Sequence, residues 1–119
     1  MNYHFKHSRA WVLRLGDGTK ESKVKIQESI DELWRFTGEI FESDDVENNL
    51  ISENIITASN TYYHEWSKIV KETLQEALLI EPENVVMLTG GKKGLHTEKL
   101  GFMLAEMQYL PRTYPDAKW

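Results

Sequence analysis

The chain has 119 residues, of which 40% are hydrophobic and 28% charged, and its formal net charge is −5. This composition predicts one globular domain rather than a disordered tail, and the lack of a long basic run argues against nucleic acid as the main partner. No apolar stretch reaches the ~18 residues of a membrane span. The absence of cysteine excludes disulfides and zinc–thiolate sites. With no apolar signal segment at the N terminus, we expect a cytoplasmic protein.

The first predicted helix covers residues 2–15. One face of it carries side chains at three- and four-residue steps, namely His4, His7, Ser8, Trp11 and Leu15. The stretch from Gly16 to Gly18 ends this helix, with glycine available for a left-handed turn. Thr19 is then predicted to cap a second helix that runs to about Phe41, and the apolar stripe of that helix is Ile26, Ile30, Leu33, Trp34, Thr37 and Phe41.

The middle of the chain predicts a third long helix after an irregular connection. Residues 43–45 form an acidic turn and helix cap, and residues 46–56 are compatible with either a short helix or an irregular packed segment. Ser59 or Asn60 is predicted to cap the long helix, which ends at residues 81–84. Its stripe consists of Tyr62, Trp66, Ile69, Val70, Thr73, Leu74 and Ala77.

The last part of the chain predicts a linker, a loop and a final helix. Residues 85–88 favour β-structure but have no partner strand, so we interpret them as extended linker, followed by a flexible loop at 90–94. The final helix is expected to start near Thr97 and to end at Pro111 or Pro115. Its apolar side carries Leu100, Met103, Leu104, Met107 and Leu110.

These elements predict an all-α fold in a single domain spanning residues 1–119, with about four helices packed as a bundle. A di-iron bundle would need Glu-x-x-His motifs, but His, Thr and Lys stand three residues before His7, His64 and His96. The sequence therefore predicts no metal site. His4 and His7 share a helix face, yet two ligands do not make a site, and we interpret them as a packed or surface pair.

The glycine-rich segment 90–98 is the candidate contact site. It lacks the G-x-x-x-x-G-K-[ST] pattern of a phosphate loop, but backbone N–H groups together with Lys92 and Lys93 can attract an anion or a partner carboxylate. The alternative is a plain solvated turn. His96 and Glu98 stand two residues apart and so point to different faces of a helix. We therefore expect helix capping or interface contact from them rather than acid–base catalysis, and we predict no catalytic residue.

Several short strings occur in one order along nearly the whole chain. They include Tyr-His-x-x-His at 3–7, Arg-Leu-Gly-Asp-Gly-Thr at 14–19, Thr-Gly-Gly-Lys-Lys-Gly at 89–94, Leu-Ala-Glu-Met-Gln at 104–108 and Ala-Lys-Trp at 117–119. Any one string is a weak signal, but the collinear set is specific. It resembles the C-terminal part of the PaaC-type subunits of phenylacetyl-CoA 1,2-epoxidases.

The resemblance implies a ferritin-like fold, here a half-bundle, and a non-catalytic structural role in a multicomponent ring epoxidase of phenylacetate degradation. It also implies a PaaA-like catalytic partner that alone holds the di-iron centre, so that this chain binds no cofactor. PaaC-type subunits are considerably longer, with further helices before the Tyr-His-x-x-His string. We therefore expect uncovered apolar surface and self-association in isolation. The alternative function is a self-associating helical protein that binds an acyl-CoA or another anionic ligand.

Overall fold

A computed structural model describes residues 2–118, and this part of the chain contains helices and turns but no β-strand. The predicted all-α class is therefore confirmed. The expected number of about four helices is too small, since the described residues form six: α1 (Asn2–Gly16), α2 (Lys20–Leu33), α3 (Asp45–Ser52), α4 (Tyr63–Glu76), α5 (Lys99–Met107) and α6 (Tyr109–Thr113).

The chain divides into two compact units, Met1–Thr89 and Gly90–Trp119. The first unit contains α1 to α4, and the second contains α5 and α6. The expectation of a single domain over residues 1–119 remains a prediction. The closing tryptophan of the Ala-Lys-Trp string, Trp119, lies outside the described residues.

The end of α1 is set by a close approach to the end of α4. Gly16 ends the helix as predicted, but neither Gly16 nor Gly18 takes the expected left-handed conformation. Gly16 is instead buried, and a Cβ atom built on it would lie 2.3 Å from the carbonyl oxygen of Ala77. Glycine is therefore needed here because the two backbones meet without room for a side chain.

The face of α1 that packs inward differs from the predicted stripe. Val12 and Leu13 pack against the core, whereas Trp11 and Leu15 remain exposed. The prediction followed histidine and tryptophan spacing, but aliphatic side chains gain more from complete burial because they leave no polar group unpaired.

Helix α2 begins as predicted and ends earlier than predicted. The Thr19 hydroxyl oxygen accepts a hydrogen bond from the backbone N–H of Ser22 at 3.1 Å, which confirms the cap. The helix stops at Leu33, and two 3₁₀ turns, Trp34–Phe36 and Gly38–Phe41, replace its expected continuation to Phe41. The Thr37 hydroxyl donates to the Trp34 carbonyl at 2.8 Å, and such local bonding competes with a continuous helix.

Residues 43–56 contain a capped short helix, one of the two structures left open above. The Asp44 carboxylate accepts from the Glu47 N–H at 2.8 Å, and the Glu47 carboxylate accepts from the Asp44 N–H at 3.2 Å. This reciprocal pair is a capping box, which satisfies two otherwise unpaired donors at the start of α3. The predicted acidic cap is therefore confirmed.

Both predicted limits of α4 are wrong. A 3₁₀ turn, Ser59–Tyr62, precedes the helix, which begins at Tyr63 without a side-chain cap. The helix ends at Glu76 rather than at residues 81–84 because Leu78 takes φ +57° and turns the chain. The Leu79 N–H then donates to the Leu74 carbonyl at 2.9 Å, which closes the C-terminal turn.

The core of the first unit is small. Among the described residues only Leu74, Ala77 and Leu79 are buried hydrophobic side chains. Partly buried side chains from the three longer helices and from the 3₁₀ turn after α2 pack around them, namely Val12, Leu13, Ile26, Ile30, Trp34 and Val70. The predicted stripes of α2 and α4 thus supply most of the packing, although much of their apolar surface stays open.

The second unit begins its helices later than predicted and continues them past one proline. Helix α5 starts at Lys99, two residues after Thr97, and Pro111 lies within α6 rather than ending it. Pro115 follows the last helix, as one of the two predicted ends. Nowhere in residues 2–118 does a helix have the length and apolar content that crossing a membrane requires.

Candidate functional site

The glycine-rich segment is a hydrogen-bonded turn rather than the flexible loop expected from sequence. Gly90 and Gly94 take φ +98° and +88°, and they flank a 3₁₀ turn at Gly91–Lys93. The carbonyl of Gly90 accepts from the Lys93 N–H at 2.9 Å and from the Leu95 N–H at 3.0 Å. Glycine takes the left-handed conformation at little cost, so these two positions fix the shape of the turn.

The four predicted contact residues are all exposed on this segment. Lys92 and Lys93 lie together on the 3₁₀ turn. His96 and Glu98 follow it, and neither side chain forms a hydrogen bond or ion pair with another described residue. The structure therefore brings the two lysines together but does not couple His96 to Glu98.

Thr97 does not cap the last helix, contrary to the prediction. Glu98 occupies the cap position with helical φ −53° and ψ −26°, and its side chain makes no capping hydrogen bond. A capping side chain reaches back to the helix when its own backbone is extended, which Glu98 is not. Its carboxylate still lies at the positive end of the helix dipole, where a negative charge is favourable.

The chemistry available on this segment is electrostatic. Two exposed ammonium groups on a fixed turn can attract a carboxylate or a phosphate group. Exposed ion pairs contribute little each and weaken as salt screens them. The segment is therefore suited to orienting a negatively charged surface rather than to acid–base chemistry.

The histidines of α1 belong to a column of aromatic rings. Tyr3 stacks on His7 with ring centroids 5.7 Å apart, and His7 meets Trp11 edge-on at 6.4 Å. The Arg14 guanidinium carbon lies 5.6 Å from the centre of the Trp11 ring. Residues 2–118 contain no group of three or more His, Cys, Asp or Glu side chains placed to hold a metal ion. His7 thus contacts aromatic rings, and the absence of a metal site at His4 and His7 remains a prediction.

An apolar groove between α1, α2 and α4 was missed by the sequence reasoning. It has a volume of about 440 Å³ and is lined by apolar side chains that include Val12, Ile30, Val70 and the rings of Trp34 and Trp66. The centres of these two rings are 6.2 Å apart.

The signal for this groove was present in the spacing of the lining residues. Its lining positions include 5, 8, 9 and 12 in α1, 26, 29, 30 and 33 in α2, and 66, 69, 70 and 73 in α4. Each set follows the same helical repeat, i, i+3, i+4 and i+7. Three matching stripes identify helices that share a core, but they do not reveal that one side of that core is open.

The comparisons with known proteins agree on one family. The family described as phenylacetic acid catabolic protein matches residues 1–119. The C subunit of 1,2-phenylacetyl-CoA epoxidase from Escherichia coli (strain K12) is 47% identical over 117 residues, which covers 98% of this chain and 47% of the relative. The chain thus spans about half the length of that relative.

Proposed function

Because the chain belongs to the phenylacetic acid catabolic protein family, we propose that it is a structural subunit, or a portion of one, of a phenylacetyl-CoA epoxidase. Family membership confirms the resemblance found in the sequence and, with the all-α structure, the ferritin-like class. The observation that carries the proposal is the 47% identity to an epoxidase C subunit over 98% of this chain.

In this proposal the chain supports catalysis without performing it. The oxygen chemistry belongs to a PaaA-like partner with a di-iron centre, which would use O₂ and supplied electrons to epoxidise the aromatic ring of phenylacetyl-CoA. The residues of this chain do not fit such a centre. The sequence has no Glu-x-x-His motif, and the described residues include no cluster of three ligand-type side chains.

We further propose that the segment 90–98 contacts the partner subunit. Gly90 and Gly94 fix the shape of the turn that carries the exposed residues Lys92 and Lys93. Carboxylates on the partner would complement them, with His96 and Glu98 beside this contact at the start of α5. Such a contact contributes orientation and association rate more than affinity.

Co-purification tests the main proposal. The chain would be co-expressed with the PaaA-like catalytic subunit of the E. coli epoxidase, with the full-length E. coli relative as the positive control. We expect a stable complex that carries iron in proportion to the catalytic subunit alone. A chain that stays unbound while the full-length control binds would contradict the proposal for this chain.

A charge-removal experiment tests the contact segment. The double substitution Lys92→Ala and Lys93→Ala should weaken association severalfold at low salt and reduce its salt dependence. The control, Lys20→Ala with Lys23→Ala, removes the same charge from exposed positions of α2. Equal effects of the two double variants would indicate a general charge effect and no specific contact.

A second candidate function is a self-associating protein that binds an acyl-CoA, and the apolar groove is the observation that favours it. An acyl or phenyl group entering the groove would approach Trp34 and Trp66. Titration of the isolated chain with phenylacetyl-CoA, followed by tryptophan fluorescence, separates the two functions. Saturable binding without a partner supports the second function, and its absence favours the structural role.

A further inference from the structure

Four aromatic rings of the first unit contact one another where the 3₁₀ turns after α2 meet the start of α4. The centre of the Trp66 ring lies 6.2 Å from that of Trp34, 6.2 Å from that of Tyr63 and 5.2 Å from that of Phe41. Phe41 also meets Tyr63 edge-on at 5.1 Å. The three rings that can be oxidised thus form a continuous series, Trp34, Trp66 and Tyr63, and Phe41 packs against the last two.

Local structure places these rings together. Tyr63 and Trp66 stand three residues apart at the start of α4, so they are neighbours on one helix face. Trp34 begins the first 3₁₀ turn, and Phe41 ends the second. Because α2 stops at Leu33, the two turns carry Phe41 onto the rings of α4.

The ring series connects the apolar groove with the surface of the first unit. Trp34 and Trp66 are half-buried and line the groove, whereas Tyr63 is 47% exposed and is not part of that lining. Electron transfer falls steeply with distance and is fast between aromatic rings in near contact. The three rings therefore provide a path for an electron between the groove and a phenol in contact with water.

We propose that Trp34, Trp66 and Tyr63 form a relay that carries one-electron oxidation from the groove to Tyr63. A strong one-electron oxidant such as a peroxyl radical takes an electron from Trp34, which is refilled from Trp66, and Trp66 is refilled from Tyr63. Tyr63 gives its phenolic proton to water, while the reduced peroxyl takes a proton from water and becomes a hydroperoxide. A soluble thiol then returns a hydrogen atom to the tyrosyl radical, which restores the phenol and leaves a thiyl radical.

The relay ends at Tyr63 for a chemical reason. At neutral pH a phenol that releases its electron and its proton together is oxidised more readily than an indole. Tyr63 is exposed, so its hydroxyl can release that proton to solvent. The chain contains no cysteine, so no thiol of its own competes for the radical. We therefore expect the oxidation to come to rest on Tyr63 rather than on a tryptophan.

This inference rests on the proposed function only for the source of the oxidant, since oxygen chemistry in a catalytic partner is a source of stray oxidising radicals. Trp34 packs against the core of the first unit, so its destruction would damage the fold. A relay to the surface moves the radical to a ring that soluble reductants reach. The electron transfer itself is a property of this chain and is tested without a partner.

Pulse radiolysis of the isolated chain tests the relay. Azide radicals oxidise indoles selectively, and the separate absorption bands of tryptophan and tyrosine radicals then report which ring lacks an electron. We expect tryptophan radicals to convert to tyrosine radicals at a rate independent of protein concentration, and Tyr63→Phe should lose a large share of this conversion. The matched control is Tyr62→Phe, which should behave like the parent, because Tyr62 is also exposed but lies outside the four contacting rings.

A spin trap followed by peptide mass spectrometry locates the radical. The parent should carry the adduct on Tyr63. Trp66→Phe keeps an aromatic ring for packing but interrupts the relay, so the adduct should shift from Tyr63 to Trp34. Circular dichroism checks that each variant is folded.

Three results would overturn the relay. They are parent radicals that stay on tryptophan, equal losses of conversion in Tyr63→Phe and Tyr62→Phe, and an adduct that remains on Tyr63 in Trp66→Phe. Conversion as expected in a chain that fails to co-purify with the catalytic subunit would contradict the proposed function alone.

Discussion

The two units of this chain use similar apolar repeats with different results. In the first unit, stripes on α2 and α4 pack with α1 around Leu74, Ala77 and Leu79. In the second unit, α5 carries the same kind of stripe, yet Met103, Leu104 and Met107 remain exposed. Hydrophobic spacing therefore identifies a helix face that can be buried, whereas burial depends on what the rest of the chain brings to it.

Long-range contacts explain the difference. The first unit joins distant segments through the Gly16–Ala77 approach and through Gln27, which bonds the backbone of Ile80. In the second unit the backbone hydrogen bonds of turns and helix ends connect near neighbours, such as Gly90 with Leu95. The stability of the first unit should therefore respond to single tertiary contacts, and that of the second should follow local helix propensity.

The largest predicted effect comes from Gly16→Ala. The added Cβ would lie 2.3 Å from the carbonyl oxygen of Ala77, so α1 must move away from the end of α4. We expect a loss of about 2–3 kcal/mol in the free energy of unfolding, measured by urea denaturation with circular dichroism. An unchanged midpoint would show that the two helices do not meet this closely in solution.

The matched change in the second unit is Gly101→Ala. A Cβ at Gly101 in α5 meets no atom within 4 Å. Alanine favours the helix by about 0.5–1 kcal/mol, so helicity should rise slightly while the main unfolding transition stays in place. A destabilisation similar to that of Gly16→Ala would mean that α5 is packed as tightly as α1.

A smaller effect is expected from Gln27→Ala. The Gln27 amide donates to the Ile80 carbonyl and accepts from the Ile80 N–H, both at 2.9 Å. Gln27→Ala removes this pair and also the bond from the Gln27 amide to the Asp31 carboxylate at 2.9 Å, so we expect a cost of about 1–2 kcal/mol, most of it from the pair with Ile80. Gln75→Ala, at an exposed glutamine of α4, should change the unfolding midpoint little. Hydrogen exchange at the Ile80 amide should accelerate in the Gln27 variant alone, and equal protection in both would refute the role assigned to Gln27.

Local signals were the part of the fold that the sequence predicted well. Thr19 and Asp44 cap their helices as expected because a cap depends on a few neighbouring residues. The end of α4 could not be predicted because Leu78, between the buried residues Ala77 and Leu79, takes a left-handed conformation that leucine seldom adopts. The role of Gly16 was missed for a similar reason, since its partner Ala77 is distant in sequence.

The two candidate sites also differ in whether local sequence was enough to predict them. The exposed lysine turn at 90–98 could be located from glycine and lysine spacing alone, although its function remains a proposal. The groove could not, since its lining comes from the stripes of three separate helices that only the folded structure brings together. Its apolar residues look like an ordinary core in sequence, and the structure is needed to see that one side is open.

The smallest predicted effects on stability come from substitutions at the starts of α3 and α5. Asp44→Ala removes the capping box of α3 and should cost about 1 kcal/mol. Glu98→Ala removes a side chain that makes no capping bond, so only its attraction to the helix dipole is lost, at most about 0.5 kcal/mol. Asp44→Asn, which keeps an acceptor at the cap, should recover most of the loss.

Salt separates the two mechanisms. In thermal unfolding, the loss of stability caused by Asp44→Ala should be the same at low and high salt, because a hydrogen bond is lost. The loss caused by Glu98→Ala should disappear at high salt, because screening removes the interaction with the helix dipole. A Glu98→Ala loss that matches that of Asp44→Ala and persists in high salt would mean that the Glu98 side chain caps α5 in solution. The second unit would then share the kind of helix start that stabilises the first.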